Sequence, residues 1–178
     1  MNGSAARRHL VLVGLMGAGK TTVGARCAER LGRPLVDTDE IVVATSGQSV
    51  PELFASEGEA GFRVRERAAL VDACAAPEPL VIACGGGAVL DPENRATMRA
   101  AGLVVWLRAS PRELAARVGD GSGRPLLTGA PTADALERLV AVRTPAYEAA
   151  AHAVVDTDGL DPETVAGRVL EEAQRCAA

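Results

Sequence analysis

The sequence predicts an α/β fold in which helices cover both faces of a parallel sheet. Three observations carry that expectation. Five short apolar runs rich in β-branched residues are present, helical repeats separate them, and the connections are long enough to carry each strand back parallel to the last. The first run, His9 to Gly14 (HLVLVG), lacks polar alternation, as expected of a strand buried on both faces. A glycine-rich segment follows. Val23, Cys27, Ala28 and Leu31 then recur at helical spacing, so the order is strand, glycine loop, helix. Pro34 to Asp37 (PLVD) is a second strand ending in a carboxylate, and Asp39 to Thr45 starts a helix that stops at Ser46-Gly47.

Two further helices are expected over Val50 to Ser56 and Glu59 to Ala75, with Phe62, Ala69 and Leu70 on one side of the second. Leu80 to Cys84 reads as a third buried strand. It ends in Gly85-Gly86-Gly87, a triplet that suits close backbone approach to a ligand. Gly102 to Leu107 and Ala153 to Asp156 supply the fourth and fifth strands. Asp91-Pro92, Ser110-Pro111 and Asp161-Pro162 each place a capping residue before a proline at the first helical position. Ser110-Pro-Arg-Glu113 also has the pattern of a capping box. No linker or shift in composition divides the chain, so residues 1–178 are expected to form one domain. Gly119 to Pro131 (GDGSGRPLLTGAP) is glycine- and proline-rich and is expected to be a mobile surface lid carrying Arg124.

Composition narrows the function classes. The chain has 178 residues, 48% of them hydrophobic and 24% charged, values of an ordinary globular protein. A net charge of -4 opposes a general nucleic-acid binder. Phe54, Phe62, Trp106 and Tyr147 are the only aromatic residues, too few to form a platform for stacked bases. Cys27, Cys74, Cys84 and Cys176 form no CxxC pair, which predicts reduced thiols. His9 and His152 have no second metal-ligand type at suitable spacing, so no structural zinc is expected. No apolar stretch is long enough to span a bilayer and no cleavable leader is evident, so a cytoplasmic protein is expected.

Eighteen of the 19 basic residues are arginine, and the one lysine is Lys20. A compact ammonium retained in so arginine-rich a chain points to a chemical requirement. Its setting supplies one: Gly14-x-x-x-x-Gly19-Lys20-Thr21 is a complete P-loop pattern after a buried strand and before a helix. Gly17, Ala18 and Gly19 let successive N–H groups converge on phosphate oxygens at a helix N-terminus. Thr22 continues that first turn. Lys20 reaches the β- and γ-phosphates of a nucleotide, and Thr21 offers a hydroxyl to Mg²⁺. Asp37, with Asp39 two residues on, is the nearest acidic pair to share metal and acceptor duties; apart from the P-loop, such a stretch would read as a helix cap.

Together with the P-loop, Asp37-Thr-Asp39, Gly58-Glu-x-x-Phe-Arg63-x-x-Glu66, Gly85-Gly-Gly87, Arg124-Pro-Leu-Leu127 and Arg143-x-Pro-x-Tyr147 resemble the shikimate kinase family in order and spacing. The resemblance runs from His9 to about Pro162. It implies a three-layer P-loop NTPase fold with strand order 2-3-1-4-5, and transfer of the γ-phosphoryl group of Mg·ATP to the 3-hydroxyl of shikimate in aromatic amino acid biosynthesis. It also implies that Arg63 and Arg143 hold the substrate carboxylate, that Gly85, Gly86 and Gly87 border the acceptor, and that Glu66 steadies the arginines. Asp39 would orient the attacking hydroxyl, and Asp37 a water of the Mg²⁺ shell. Lys20 and Arg124 would neutralise phosphoryl charge, while Arg117 and Pro162 would flank adenine. The stretch after Asp156 carries no basic group for the adenine. The family is commonly monomeric. A gluconate-type kinase, a nucleoside monophosphate kinase, a kinase of a related cyclitol and a non-catalytic nucleotide-binding module are the competing readings.

Overall fold

The computed structural model describes residues 9–121, 123–127 and 132–176. Residues 1–8, 122, 128–131 and 177–178, including parts of the expected lid and both ends of the expected domain, lie outside the described residues. Five parallel strands, β1 (His9–Val13), β2 (Leu35–Asp37), β3 (Val81–Ala83), β4 (Gly102–Arg108) and β5 (Ala153–Asp156), form a sheet in the order β2-β3-β1-β4-β5. Every residue of β1 is buried, as are Val81, Ile82, Val104 and Val105 on its two neighbours. That is why these strands read as unbroken apolar runs: each contributes side chains to both helical layers.

The helices are α1 (Lys20–Leu31), α2 (Thr38–Ser46), α3 (Val50–Cys74), α4 (Pro92–Ala101), α5 (Pro111–Val118), α6 (Thr132–Ala150) and α7 (Pro162–Arg175). α1 packs against α7, whereas α3, α4 and α6 pack one against the next. Right-handed crossovers in this strand order put the first pair on one face and the second set on the other. β1 leads to one face and its neighbour β3 to the other. The crevice between their C-terminal ends is therefore where an open parallel sheet binds ligands.

Local chemistry accounts for most boundaries. The Asp91 carboxylate accepts from the Glu93 N–H at 2.8 Å, and Asp161 accepts from Glu163 and Thr164, both at 2.9 Å. The box expected at Ser110 is half formed: Ser110 Oγ accepts from the Glu113 N–H at 3.2 Å, but Glu113 turns to Arg117. A full box closes instead at the start of α3, where Ser49 and Glu52 cap each other's backbone. The two helices expected between Val50 and Ala75 form one element with an internal break at Gly58, whose φ of 71° and ψ of 179° interrupt the helix. The first strands and helices otherwise lie within a residue or two of expectation, and a single 3-10 turn, Ala88–Leu90, follows the glycine triplet.

The hydrophobic interior has two parts. The main core lies on both faces of the sheet, while Val42, Leu53, Phe62 and Ala69 form a small separate cluster between α2 and α3. Leu70, one residue beyond Ala69, belongs to the main core, so α3 spans both. His9 Nδ1 accepts from the Leu80 N–H and His152 Nδ1 from the Val104 N–H, each at 3.0 Å, so both histidines close strand ends. All four cysteines are free, with Cys27 and Cys84 buried and Cys176 exposed. Loss of hydration pushes the Cys27 and Cys74 thiols up to about 11.

Candidate active site

The loop between β1 and α1 is built from backbone conformations that suit glycine. Gly17 and Gly19 have φ of 83° and 90°, and Gly19 is the left-handed residue from which α1 departs. Space is equally restricted at Gly14, where a Cβ would stand 2.6 Å from the Leu107 carbonyl oxygen. The loop is thereby wrapped around the start of α1, with its N–H groups at the positive end of the helix. Lys20 opens that helix, and its Nζ donates to the Leu15 carbonyl at 3.0 Å. Desolvation draws its ammonium below the ordinary lysine range, against the opposing pull of Asp39 and Asp37.

β2 delivers the acidic pair beside it. Asp37 serves two neighbours at once, accepting from the Asp39 N–H at 3.0 Å through one carboxylate oxygen and from Thr21 Oγ1 at 2.6 Å through the other. It is thus both the cap of α2 and the partner of the P-loop threonine. Thr38, between the aspartates, is buried and accepts from the Gly85 N–H at 2.9 Å, tying α2 to the glycine triplet. Asp39 leaves Oδ1 buried without a hydrogen-bond partner. Burial first, and then the Asp37 charge, raise its carboxyl above the usual aspartate range.

Across Asp39 lies a cavity of about 290 Å³ walled by Arg63, Glu66, Gly86, Gly87 and Arg143. α3 presents Arg63 and Glu66 one turn apart, and Arg63 Nη1 donates to Glu66 Oε2 at 2.7 Å. Glu66 is 1% exposed. Desolvation raises its carboxyl, and Arg63 offsets part of that shift. α6 presents Arg143 and Tyr147 one turn apart; both donate to the Gly86 carbonyl, at 3.1 and 2.6 Å. Gly85 is not in the wall. It lies behind, where a Cβ would fall 2.2 Å from Glu66 Oε1 and 2.6 Å from Asp39 Oδ1.

The P-loop cavity, about 480 Å³, is lined by Gly17, Ala18, Gly19, Lys20, Thr21 and Thr22 on one side and by Arg117, Thr157, Leu160 and Pro162 on the other. Arg117 leaves α5 to reach the Thr157 hydroxyl at 3.0 Å and the Thr157 carbonyl at 2.8 Å. Met16, Asp39, Gly86 and Arg124 line both this cavity and the arginine-walled one. The two spaces meet over Asp39. Sequence reasoning missed Thr38 and Thr157, whose partners Gly85 and Arg117 lie far along the chain, and Leu160 in the cavity lining. Thr38 had a local signal, lying inside the acidic motif. A third cavity of about 430 Å³, largely apolar and walled by Trp106, Leu114, Val140 and Tyr147, adjoins the far side of the P-loop. Among the described residues, no group of three or more histidine, cysteine, aspartate or glutamate side chains is placed to hold a metal ion. Nor is any described helix long and apolar enough to cross a membrane.

Comparison with known proteins bears on the same residues. The family model described as shikimate kinase matches residues 16–174. A shikimate kinase of Symbiobacterium thermophilum is 49% identical over 168 residues, covering 93% of this chain and 96% of the relative. Among solved structures, shikimate kinase from Acinetobacter baumannii in complex with shikimate superposes with a TM-score of 0.92 at 35% identity, over 96% of this chain and 94% of that one. A gluconokinase from Sinorhizobium meliloti shares the fold at a TM-score of 0.62 but only 22% identity, with 96% of this chain and 93% of that one covered. With the P-loop, the acidic pair and the arginine-walled cavity in one crevice, and with relatives matching over nearly its whole length, the chain belongs to the shikimate kinase family.

Proposed function

We infer that the chain phosphorylates shikimate with ATP, and that the two joined cavities divide the reaction between them. The observation that carries this reading is the shared wall: Asp39, Gly86 and Arg124 face the phosphate loop and the arginine-lined acceptor pocket together. A γ-phosphoryl group cradled by the P-loop and a hydroxyl beside Asp39 then face each other across that wall. The bond from γ-phosphorus to the bridging oxygen breaks as a bond to the 3-hydroxyl oxygen forms. ADP leaves with the bridging oxygen, and the hydroxyl proton passes to Asp39 or to solvent. Burial raises the Asp39 carboxyl above the usual aspartate range, which suits it to that task.

The side chains have separable roles. Lys20 and Arg124, which both line the P-loop cavity, neutralise charge on the phosphoryl oxygens. Arg63 and Arg143 hold the acceptor's carboxylate, with Glu66 fixing Arg63 and the Gly86 peptide adding a donor. Gly87 keeps the wall thin against Arg63. Arg117 and Pro162 flank the adenine, and Arg117 is oriented for this by Thr157. The Thr21 hydroxyl and Asp37 carboxylate, in contact in the structure, suit Mg²⁺, which takes oxygen ligands and keeps several waters alongside substrate phosphates. When bound, the ion neutralises charge on the β- and γ-phosphate oxygens.

The same reading makes residues 1–178 a single kinase domain that works as a cytoplasmic monomer without a nucleic-acid partner, and segment 119–131 a lid whose closure brings Arg124 home. ADP release with Mg·ATP, compared among shikimate, gluconate, quinate and no acceptor, tests the assignment. Turnover restricted to shikimate is the expected result. Turnover with gluconate or quinate instead would break the acceptor assignment, and nucleotide binding without acceptor-dependent turnover would break the catalytic one.

A further inference from the structure

The backbone on either side of Gly86 is held by its own neighbours. The Gly85 N–H donates to Thr38 Oγ1 at 2.9 Å, and the Gly85 and Gly87 carbonyls accept from the Ala88 and Leu90 N–H groups at 3.1 and 3.0 Å. The Gly86 carbonyl is held differently, by two side chains of α6: Tyr147 Oη donates to it at 2.6 Å and Arg143 Nη1 at 3.1 Å. Two donors fill both lone pairs of that oxygen. Because the peptide that carries it joins one glycine to another, no Cβ at either end restrains its rotation, and its direction depends on these two bonds.

The two donors differ in how firmly they are themselves fixed. Arg143 reaches the carbonyl at the end of a long side chain whose torsions must all be restrained to place the guanidinium. Tyr147 has two such torsions. Its side chain is buried, and its ring stacks on Trp106 with centroids 5.3 Å and planes 15° apart. Trp106 belongs to β4 and pairs in register with Val13 of β1, the residue before the P-loop. The sheet thus reaches the Gly86 carbonyl through two stacked rings and one hydrogen bond. Burial raises the Tyr147 phenol, which keeps it protonated and able to donate. Packing in the main core accounts for the ring, whose space phenylalanine would fill, but not for a hydroxyl aimed at the wall of the acceptor cavity.

We propose that Tyr147 is a positioning residue of the acceptor site: its hydroxyl fixes the Gly86 carbonyl, and that carbonyl aligns Arg143 for the acceptor carboxylate. The proposal rests on the assignment of Arg143 to that carboxylate. One Nη1 proton given to a carbonyl of fixed direction stops the guanidinium from turning about its stem, so its other N–H groups are presented in one orientation. Without the hydroxyl, Arg143 still has an acceptor but one no longer referred to the sheet. The acceptor must then supply the ordering, and it binds less tightly. Neither Tyr147 nor Arg143 lines the P-loop cavity, so ATP binding should not register the change.

The test compares the intact wild-type enzyme with Tyr147→Phe, Arg143→Lys and the double variant, measuring KM for shikimate and for ATP, kcat and thermal melting. Tyr147→Phe is expected to raise the shikimate KM about two- to ten-fold, the scale of one hydrogen bond, with the ATP KM and kcat little changed. Arg143→Lys should raise the shikimate KM as well. The double variant should resemble Arg143→Lys alone, because the hydroxyl acts through that guanidinium. If Arg143→Lys raises the shikimate KM while Tyr147→Phe lowers only the melting temperature, or moves both KM values alike, the hydroxyl serves the fold and the proposal is wrong. Independent, multiplying effects in the double variant would overturn it too, with the Arg143 assignment intact. If Arg143→Lys leaves the shikimate KM untouched, the assignment and the proposal fall together.

Discussion

Glu66 carries the sharpest conflict at the scale of one residue. It is buried to 1% exposure, has one oxygen on Arg63, and keeps the other, Oε1, without a partner. Burial raises its folded-state pKa above the ordinary glutamate value, so the folded protein binds a proton there more readily than the unfolded chain. The stability linked to that proton is complete below the ordinary glutamate value and is lost as pH rises through the raised one. Urea unfolding between about pH 4 and 7 should therefore show a falling contribution in wild type, and Glu66→Gln should flatten it. An unchanged slope in the variant would place the titration elsewhere. Residues such as Lys20, Thr21 and Asp37 were legible in the sequence because the phosphate site is formed by consecutive backbone and its immediate neighbours. The roles of Tyr147 and Thr157 were not, since they depend on which distant carbonyl or guanidinium the fold brings to each.

Elements were legible in proportion to how far their signals are local. The strands could be found because burial on both faces leaves no polar alternation to confuse with a helix stripe. The proline-preceded caps could be found because the side chain and the N–H it accepts from are two or three residues apart. The box at Ser110 was read one step too far, since Glu113 prefers Arg117, 3.0 Å away, to the backbone behind it. Strand order came from family resemblance rather than periodicity, because nothing in a strand's own residues encodes its neighbour. α5 gives this scale its prediction. Ser110 Oγ is the side-chain cap of an eight-residue helix that carries Arg117 to the nucleotide cavity. Ser110→Ala should cost about 1 kcal/mol of stability, and it should raise the KM for ATP more than that for shikimate. Thermal melting and steady-state kinetics on the same preparation separate the two effects; an ATP KM unaffected by a measured loss of stability would show that the cap does not govern Arg117.

For the whole molecule, the sheet acts as a fixed frame and its C-terminal edge as the place where chemistry collects. The P-loop follows β1, the acidic pair ends β2, and the glycine triplet follows β3, so three consecutive positions in the sheet, β2-β3-β1, each contribute one component. The acceptor arginines come from outside the sheet, on α3 and α6. Of these, Arg143 is buried and bonded to the Gly86 peptide, whereas Arg63 is 23% exposed and belongs to the half of α3 that follows the break at Gly58.

That break, with the small cluster of Val42, Leu53, Phe62 and Ala69 beneath it, gives the molecule an uneven resistance to opening. Four buried side chains, one on α2, one before the break and two beyond it, join α2 to α3, while the sheet is secured by the whole of the main core. Amide protons in Ile41–Ser56 should therefore exchange with deuterium by a local opening at much lower free energy than those of β1 and β4, which require global unfolding. Because Phe62, the neighbour of Arg63, belongs to the small cluster, saturating shikimate should slow exchange there more than in the sheet. Equal protection of both regions in the free enzyme, measured by peptide-resolved exchange, would mean that the small cluster is no separate unit.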